Sequence, residues 1–332
     1  MVNREIGFSL WLDFIERDYL KNEFKKLIDA GTVNGATSNP AIFALAITTS
    51  SAYKEQLALL KGKSGKAKYE ALAIEDIRTA GQMLRPLYDD NNDGFISIEV
   101  DPFLCNDTQG TIEEGRRLFY AIGEPNVMVK VPATQAGYEA MSTLMAEGIS
   151  VNATLVFSPK QAKQCFKAME RGIEASIEAG LGRVEGVISV FVSRFDRALD
   201  AELEQCGINP AKTGIYNAGK IYNMVESGNV PNIRVLFAST GVKGDTLPAN
   251  YYIAGLMAEH SVNTAPLATI EAHLKIEDRG VVLPIEDTIL NGYFMNLEDN
   301  GFDMDAIYKQ LLDNGLSAFE DAFKAMLESL ED

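Results

Sequence analysis

A chain of 332 residues with 46% hydrophobic residues can bury a large core, and its net charge of −17, from 30 basic and 47 acidic side chains, argues against a nucleic-acid-binding face. Only two histidines, His260 and His273, are present, which disfavours histidine-built zinc sites and a Ser-His-Asp triad and leaves acid–base work to carboxylates, lysine, tyrosine or water. The three dispersed cysteines, Cys105, Cys165 and Cys206, read as reduced thiols; no apolar run reaches the roughly 18 residues of a membrane span, and Met1-Val2-Asn3-Arg4-Glu5 lacks a signal core, so the chain is expected in the cytoplasm and off the membrane.

Short candidate strands recur along the chain at 8–14, 34–39, 95–101, 127–134, 150–158, 186–194, 233–240 and 260–267, and all but the second are rich in Val, Ile or Phe. Helical patterns separate them. Residues 20–28 and 138–145 have an amphipathic period, and Ser158-Pro159 places a cap and a first-turn proline at a helix start. The gap from about 40 to 94 has helical patterns and no strand, and the tail from about 285 to 332 ends in a stripe of Leu316, Phe319, Phe323, Met326 and Leu330. Eight buried-type strands alternating with helices predict a (β/α)₈ TIM-type barrel. A single domain spanning 1–332 is expected, with extra helical segments at about 40–94 and 285–332.

Chemistry in such a barrel belongs at the C-terminal strand ends. Three charged residues interrupt apolar strands: Asp13 after Trp11-Leu12, Glu99 in Ile96-Ser97-Ile98-Glu99, and Lys130 in Val127-Met128-Val129-Lys130-Val131. A lysine on an open edge would reach solvent. One inside a closed barrel would lose water, lower its pKa and gain nucleophilicity towards a ketone. Structural ion pairing is the alternative for both carboxylates. Neutral hydrogen-bonding residues, Asn39, Asn152, Thr154 and Ser189, occupy comparable strand positions, while Arg194, Ser239 and Lys243 follow strands six and seven, where barrels hold phosphate.

Two runs imitate other motifs. Asp89 to Gly94 begins like a calcium loop, but Val100 stands where the bidentate glutamate belongs, so the run reads as a polar turn. Gly180 to Gly186 has the wrong spacing for a dinucleotide loop and precedes a strand, so it reads as a helix stop.

The ordered segments GATSNP (35–40), ISIEVD (96–101), VMVKVPAT (127–134), SVNATLVFS (150–158), ISVFVSR (188–194) and FASTGVK (237–243) together resemble transaldolase, from about residue 8 to 270. The resemblance implies a Schiff-base lysine at Lys130 and a proton-transferring carboxylate at Asp13. It implies that Glu99 acts through a water held by Thr154. Asn39, Asn152 and Ser189 would bind the dihydroxyacetone portion, and Arg194 and Ser239 the phosphate. Many members place an arginine two residues after the serine; here the run is Ala238-Ser239-Thr240-Gly241-Val242-Lys243, with Lys243 as the candidate replacement.

The implied activity is transfer of dihydroxyacetone from sedoheptulose 7-phosphate or fructose 6-phosphate to an aldose phosphate in the pentose phosphate pathway. It needs no metal or organic cofactor. A monomer or homodimer is expected. One alternative is a fructose 6-phosphate aldolase of the same superfamily, in which Gln usually stands at the Glu99 position and Tyr at the Phe191 position. Phe191 is therefore a candidate substrate-binding residue. The other alternative is a noncatalytic ligand-binding protein.

Overall fold

The computed structural model describes residues 3–275 and 280–331. Eight strands, β1 (Ser9–Leu12), β2 (Gly35–Thr37), β3 (Ile96–Glu99), β4 (Val127–Pro132), β5 (Val151–Val156), β6 (Gly186–Phe191), β7 (Ile233–Ala238) and β8 (Ser261–Ala265), close into a barrel in chain order. Every neighbouring pair is parallel. The predicted barrel is therefore observed, with strands shorter than the apolar runs. Asp13 lies just beyond β1, where its N–H still donates to Ala265 O.

Helices fill the connections. Between β2 and β3 run Pro40–Thr49, Lys54–Leu59 and Gly65–Asp89; after β8 come Leu267–Leu274, Asp287–Asp299 and Met304–Ser329. The helix Pro159–Glu178 starts with the cap read from its sequence. Ser158 Oγ accepts from Gln161 N, and the Gln161 side chain reaches back to Ser158 N.

Side chains inside the barrel form levels. Trp11, Met128, Val187, Leu236 and Val262 make an apolar plug in the middle. Gly35 makes room for it, since a Cβ there would lie 2.4 Å from Trp11 Nε1. Beneath the plug, Trp11 Nε1 donates to Asp93 Oδ2 at 2.7 Å, and Arg234 Nη2 lies 2.8 Å from Asp93 Oδ1. Both partners are buried. The turn expected at Asp89–Gly94 is present, with φ of 51° at Asn91 and 67° at Asp93, but Asp93 is a structural anchor rather than a solvated turn residue. Its charge is tolerated because Arg234 and the indole N–H satisfy it.

One irregularity matters for the site. The β5–β6 register shifts between Ala153 and Val156, and Leu155 has φ 57°. The bulge lets two successive residues serve the interior: Thr154 lines the cavity described below, and Leu155 joins the core cluster of the plug.

Candidate active site

Above the plug, the inward positions become polar. Lys130 Nζ lies 3.2 Å from Glu99 Oε2, on the paired position of the adjacent strand. The side chains are only 7% and 2% exposed, which rules out a solvated edge lysine. Lys130 Nζ also donates to Ser38 O at 3.2 Å. The ring of Phe319, from the C-terminal helix, has its centroid 5.6 Å from the same nitrogen. Burial pushes the Glu99 carboxyl up to about 7, although the Lys130 ammonium opposes the shift. Asp13 is raised by burial as well, against the pull of Lys130 and of Thr37. Its Oδ1 accepts from Thr37 Oγ1 at 2.6 Å, and Thr37 Oγ1 in turn meets Thr264 Oγ1 at 2.7 Å.

These groups open on one cavity of about 140 Å³, lined by Asp13, Thr37, Asn39, Lys130, Thr154, Ser189, Phe191, Arg194, Ala238, Ser239, Thr264 and Phe319. A larger cavity of about 320 Å³ lies at the opposite end of the barrel, around Asp93, Arg183 and Arg234. Its main charged groups are already spent on one another: Arg234 on Asp93, and Arg183 on Glu185. Of these two, the smaller cavity gathers, among the described residues, a buried amine, the raised Asp13 carboxyl and an unpaired cation at the C-terminal strand ends.

That cation is Arg194, at the start of the helix Ser193–Gln205. Its guanidinium stacks on Phe191, 5.1 Å from the ring centroid. It has no carboxylate partner among the described residues, and burial together with nearby Arg197 weakens its hold on the proton. Ser239 sits beside it in a left-handed conformation, φ 56°. Ser239 O accepts from Ser193 N, and the two hydroxyls lie 3.0 Å apart. The result is a cation flanked by hydroxyls at the mouth, a geometry suited to an oxyanion.

Other residues singled out in the sequence divide. Asn39 lines the cavity while its Oδ1 caps the helix Pro40–Thr49 through Ile42 N. Asn152 lies fully buried beneath the cavity, its Nδ2 donating to Ser97 Oγ and its Oδ1 accepting from Ser189 Oγ; it touches the cavity only through Ser189. Glu99 reaches the cavity through Lys130. Apart from the Lys130 amine 3.2 Å from Glu99 Oε2, the Glu99 oxygens and the Thr154 hydroxyl meet no partner among the described residues despite burial. Lys243 is exposed and does not line the cavity. The loop carries it outward after Ser239, and its length allows its charge to stay in water.

Sequence reasoning missed Thr37, Thr264 and Phe319. The first two follow the inward alternation of β2 and β8 and were findable from it. Phe319 comes from far along the chain and has no local signal beyond an apolar helix stripe.

A family model described as transaldolase/fructose-6-phosphate aldolase matches residues 10–330. The chain belongs to this family. Transaldolase from Campylobacter jejuni subsp. doylei is 47% identical over 333 residues, covering 98% of this chain and 99% of that protein. Transaldolase from Helicobacter pylori is 44% identical over 323 residues, covering 97% and 99%. With relatives of that kind along the full length, this family member is a transferase of the transaldolase type. Among its described residues, no helix is long and apolar enough to cross a membrane.

Proposed function

We propose that this family member moves a dihydroxyacetone unit between sugar phosphates through a Schiff base on Lys130. The observation that carries this is the burial of one amine against Glu99, in a cavity shared with Asp13. The Lys130 amine attacks C2 of fructose 6-phosphate or sedoheptulose 7-phosphate, and water leaves to give an iminium. Asp13 takes the C4 hydroxyl proton, the C3–C4 bond breaks, and the electron pair passes into the iminium as an enamine. The aldose phosphate departs. A second aldose phosphate, glyceraldehyde 3-phosphate or erythrose 4-phosphate, is attacked by the enamine carbon, with Asp13 returning a proton to the new hydroxyl. Water then frees the lysine.

Glu99 shuttles protons during iminium formation through a water held by Thr154. Its elevated pKa, about 7, suits a group that must give and take a proton near neutrality. Thr37 orients Asp13 through its hydrogen bond. Asn39, Ser189 and, through Ser189, Asn152 hold the hydroxyls of the three-carbon unit. Arg194 and Ser239 hold the phosphate, and Phe191 supports the guanidinium from below. The rim cation orients an anionic substrate that the net charge of −17 would otherwise repel. Lys243 is left out of this assignment. With all three cysteines free, a reducing cytosol is the proposed compartment, and a monomer or homodimer the proposed assembly, in the pentose phosphate pathway.

The test is an assay of fructose 6-phosphate with and without an aldose phosphate acceptor. Turnover that depends on the acceptor is expected. Free dihydroxyacetone released at the same rate without acceptor would favour the aldolase instead.

Arg194→Ala should raise KM for phosphorylated donors by about 10–100-fold, the loss of one or two charge-assisted hydrogen bonds. Turnover of unphosphorylated fructose should change little. Equal losses for both sugars in steady-state kinetics would remove the phosphate role from Arg194.

A further inference from the structure

We propose that Phe319 shields the Lys130 adduct from water and so sets the balance between transfer of the three-carbon unit and its hydrolytic release. This deepens the Schiff-base reading and rests on it. The helix Met304–Ser329 crosses the C-terminal mouth of the barrel as a fixed roof. Near its start, Tyr308 Oη donates to Asn217 Oδ1 at 3.0 Å and packs edge-on against Phe195. At its other end, Lys68 Nζ donates to Leu330 O at 2.7 Å, Gly65 N donates to Glu331 Oε1 at 2.7 Å, and Phe323 packs edge-on with Tyr69.

Between these anchors the helix comes close to the barrel, and Gly315 permits it. A Cβ on Gly315 would sit 3.0 Å from Leu155 Cδ2 and 3.5 Å from Arg194 Nη1. Leu155 is the residue that the β5 bulge turns inward. One helical turn on, at the i+4 position, Phe319 is 8% exposed and presents its ring to Lys130 Nζ. A phenyl ring there offers no hydrogen bond to water and occupies the space through which water would approach the adduct.

The chemistry at stake is a competition. In transfer, the enamine carbon attacks an aldehyde. In release, the enamine carbon takes a proton from water to give the iminium. Hydroxide or water then adds to C2, and the C2–N bond breaks to return the amine and free dihydroxyacetone. Hydrolysis of an iminium ends both branches, but protonation of the enamine carbon by water belongs to release alone, so keeping water from that carbon favours transfer. Phe319 makes neither bond itself; it is a positioning residue acting on water access.

The measurement is the ratio of dihydroxyacetone released without acceptor to product formed with acceptor, from fructose 6-phosphate, in Phe319→Ala, Phe319→Leu and Gly315→Ala. The ratio should rise about tenfold in Phe319→Ala, stay near the parent value in Phe319→Leu, and rise in Gly315→Ala, where the roof is pushed outward. Borohydride trapping of each variant reports whether the adduct on Lys130 still forms. An unchanged ratio in Phe319→Ala with trapping intact overturns the proposal. So does an equal rise in the alanine and leucine variants. If Phe319→Ala does not fold, an unchanged ratio in Gly315→Ala overturns it instead. Failure of the parent enzyme to form any adduct strikes the Schiff-base reading first, which distinguishes the two failures.

Discussion

Lys130→Ala should fold and lose on the order of 10⁴-fold or more in kcat, since removal of a covalent nucleophile disables the groups that act with it. Folding should survive for two reasons. The plug of Trp11, Met128, Val187, Leu236 and Val262 and the two outer clusters are untouched. The orphaned Glu99 already has its pKa pushed up to about 7 by burial, so without the ammonium it can neutralise itself by taking a proton rather than remain a buried unpaired charge. Circular dichroism and a cooperative thermal transition check the fold, and the coupled transfer assay checks the activity. Near-normal turnover in a folded variant would remove the lysine from the mechanism.

Asp13→Asn should separate the two halves of the reaction. The amide keeps the size of the side chain and can still meet Thr37, whose hydroxyl now lies 2.6 Å from Asp13 Oδ1. It cannot take the hydroxyl proton when the carbon–carbon bond breaks. A loss of about 10²–10⁴-fold in transfer is expected, the range for a positioned acid–base group. Iminium formation should persist, because the groups flanking Lys130 Nζ, Glu99 and the Ser38 carbonyl, are unchanged. Borohydride should therefore still trap the donor on the variant. Loss of trapping together with turnover would place Asp13 in iminium formation instead of cleavage.

The barrel was legible in the sequence because a parallel strand buried on both faces is written as a short apolar run, and such runs, the small and polar second segment at 34–39 excepted, alternate with helical periods. The site was legible for the same reason. Lys130 and Glu99 interrupt that apolar writing, and so does Asp13 at its end. In a closed barrel, inward positions near the C-terminal strand ends converge on one axis. What escaped depends on long-range contact. Asp93 looked like part of a polar turn because its partners, Trp11 and Arg234, are 82 and 141 residues away. Phe319 looked like one more member of an apolar stripe, because only the tertiary path of the last helix brings it over Lys130. Asn152 looked accessible because its strand position is right, yet Ser97 and Ser189 take both ends of its amide. Lys243 looked like a phosphate ligand by its place after β7, and the loop directs it to solvent.

Borohydride reduction in the presence of fructose 6-phosphate, followed by peptide mass mapping, interrogates the sheltered amine itself. A single added three-carbon or hexose phosphate unit should appear on the peptide holding Lys130, and none should form in Lys130→Ala. A reduced adduct on any other lysine, or no adduct from an enzyme that is turning over, would contradict the account.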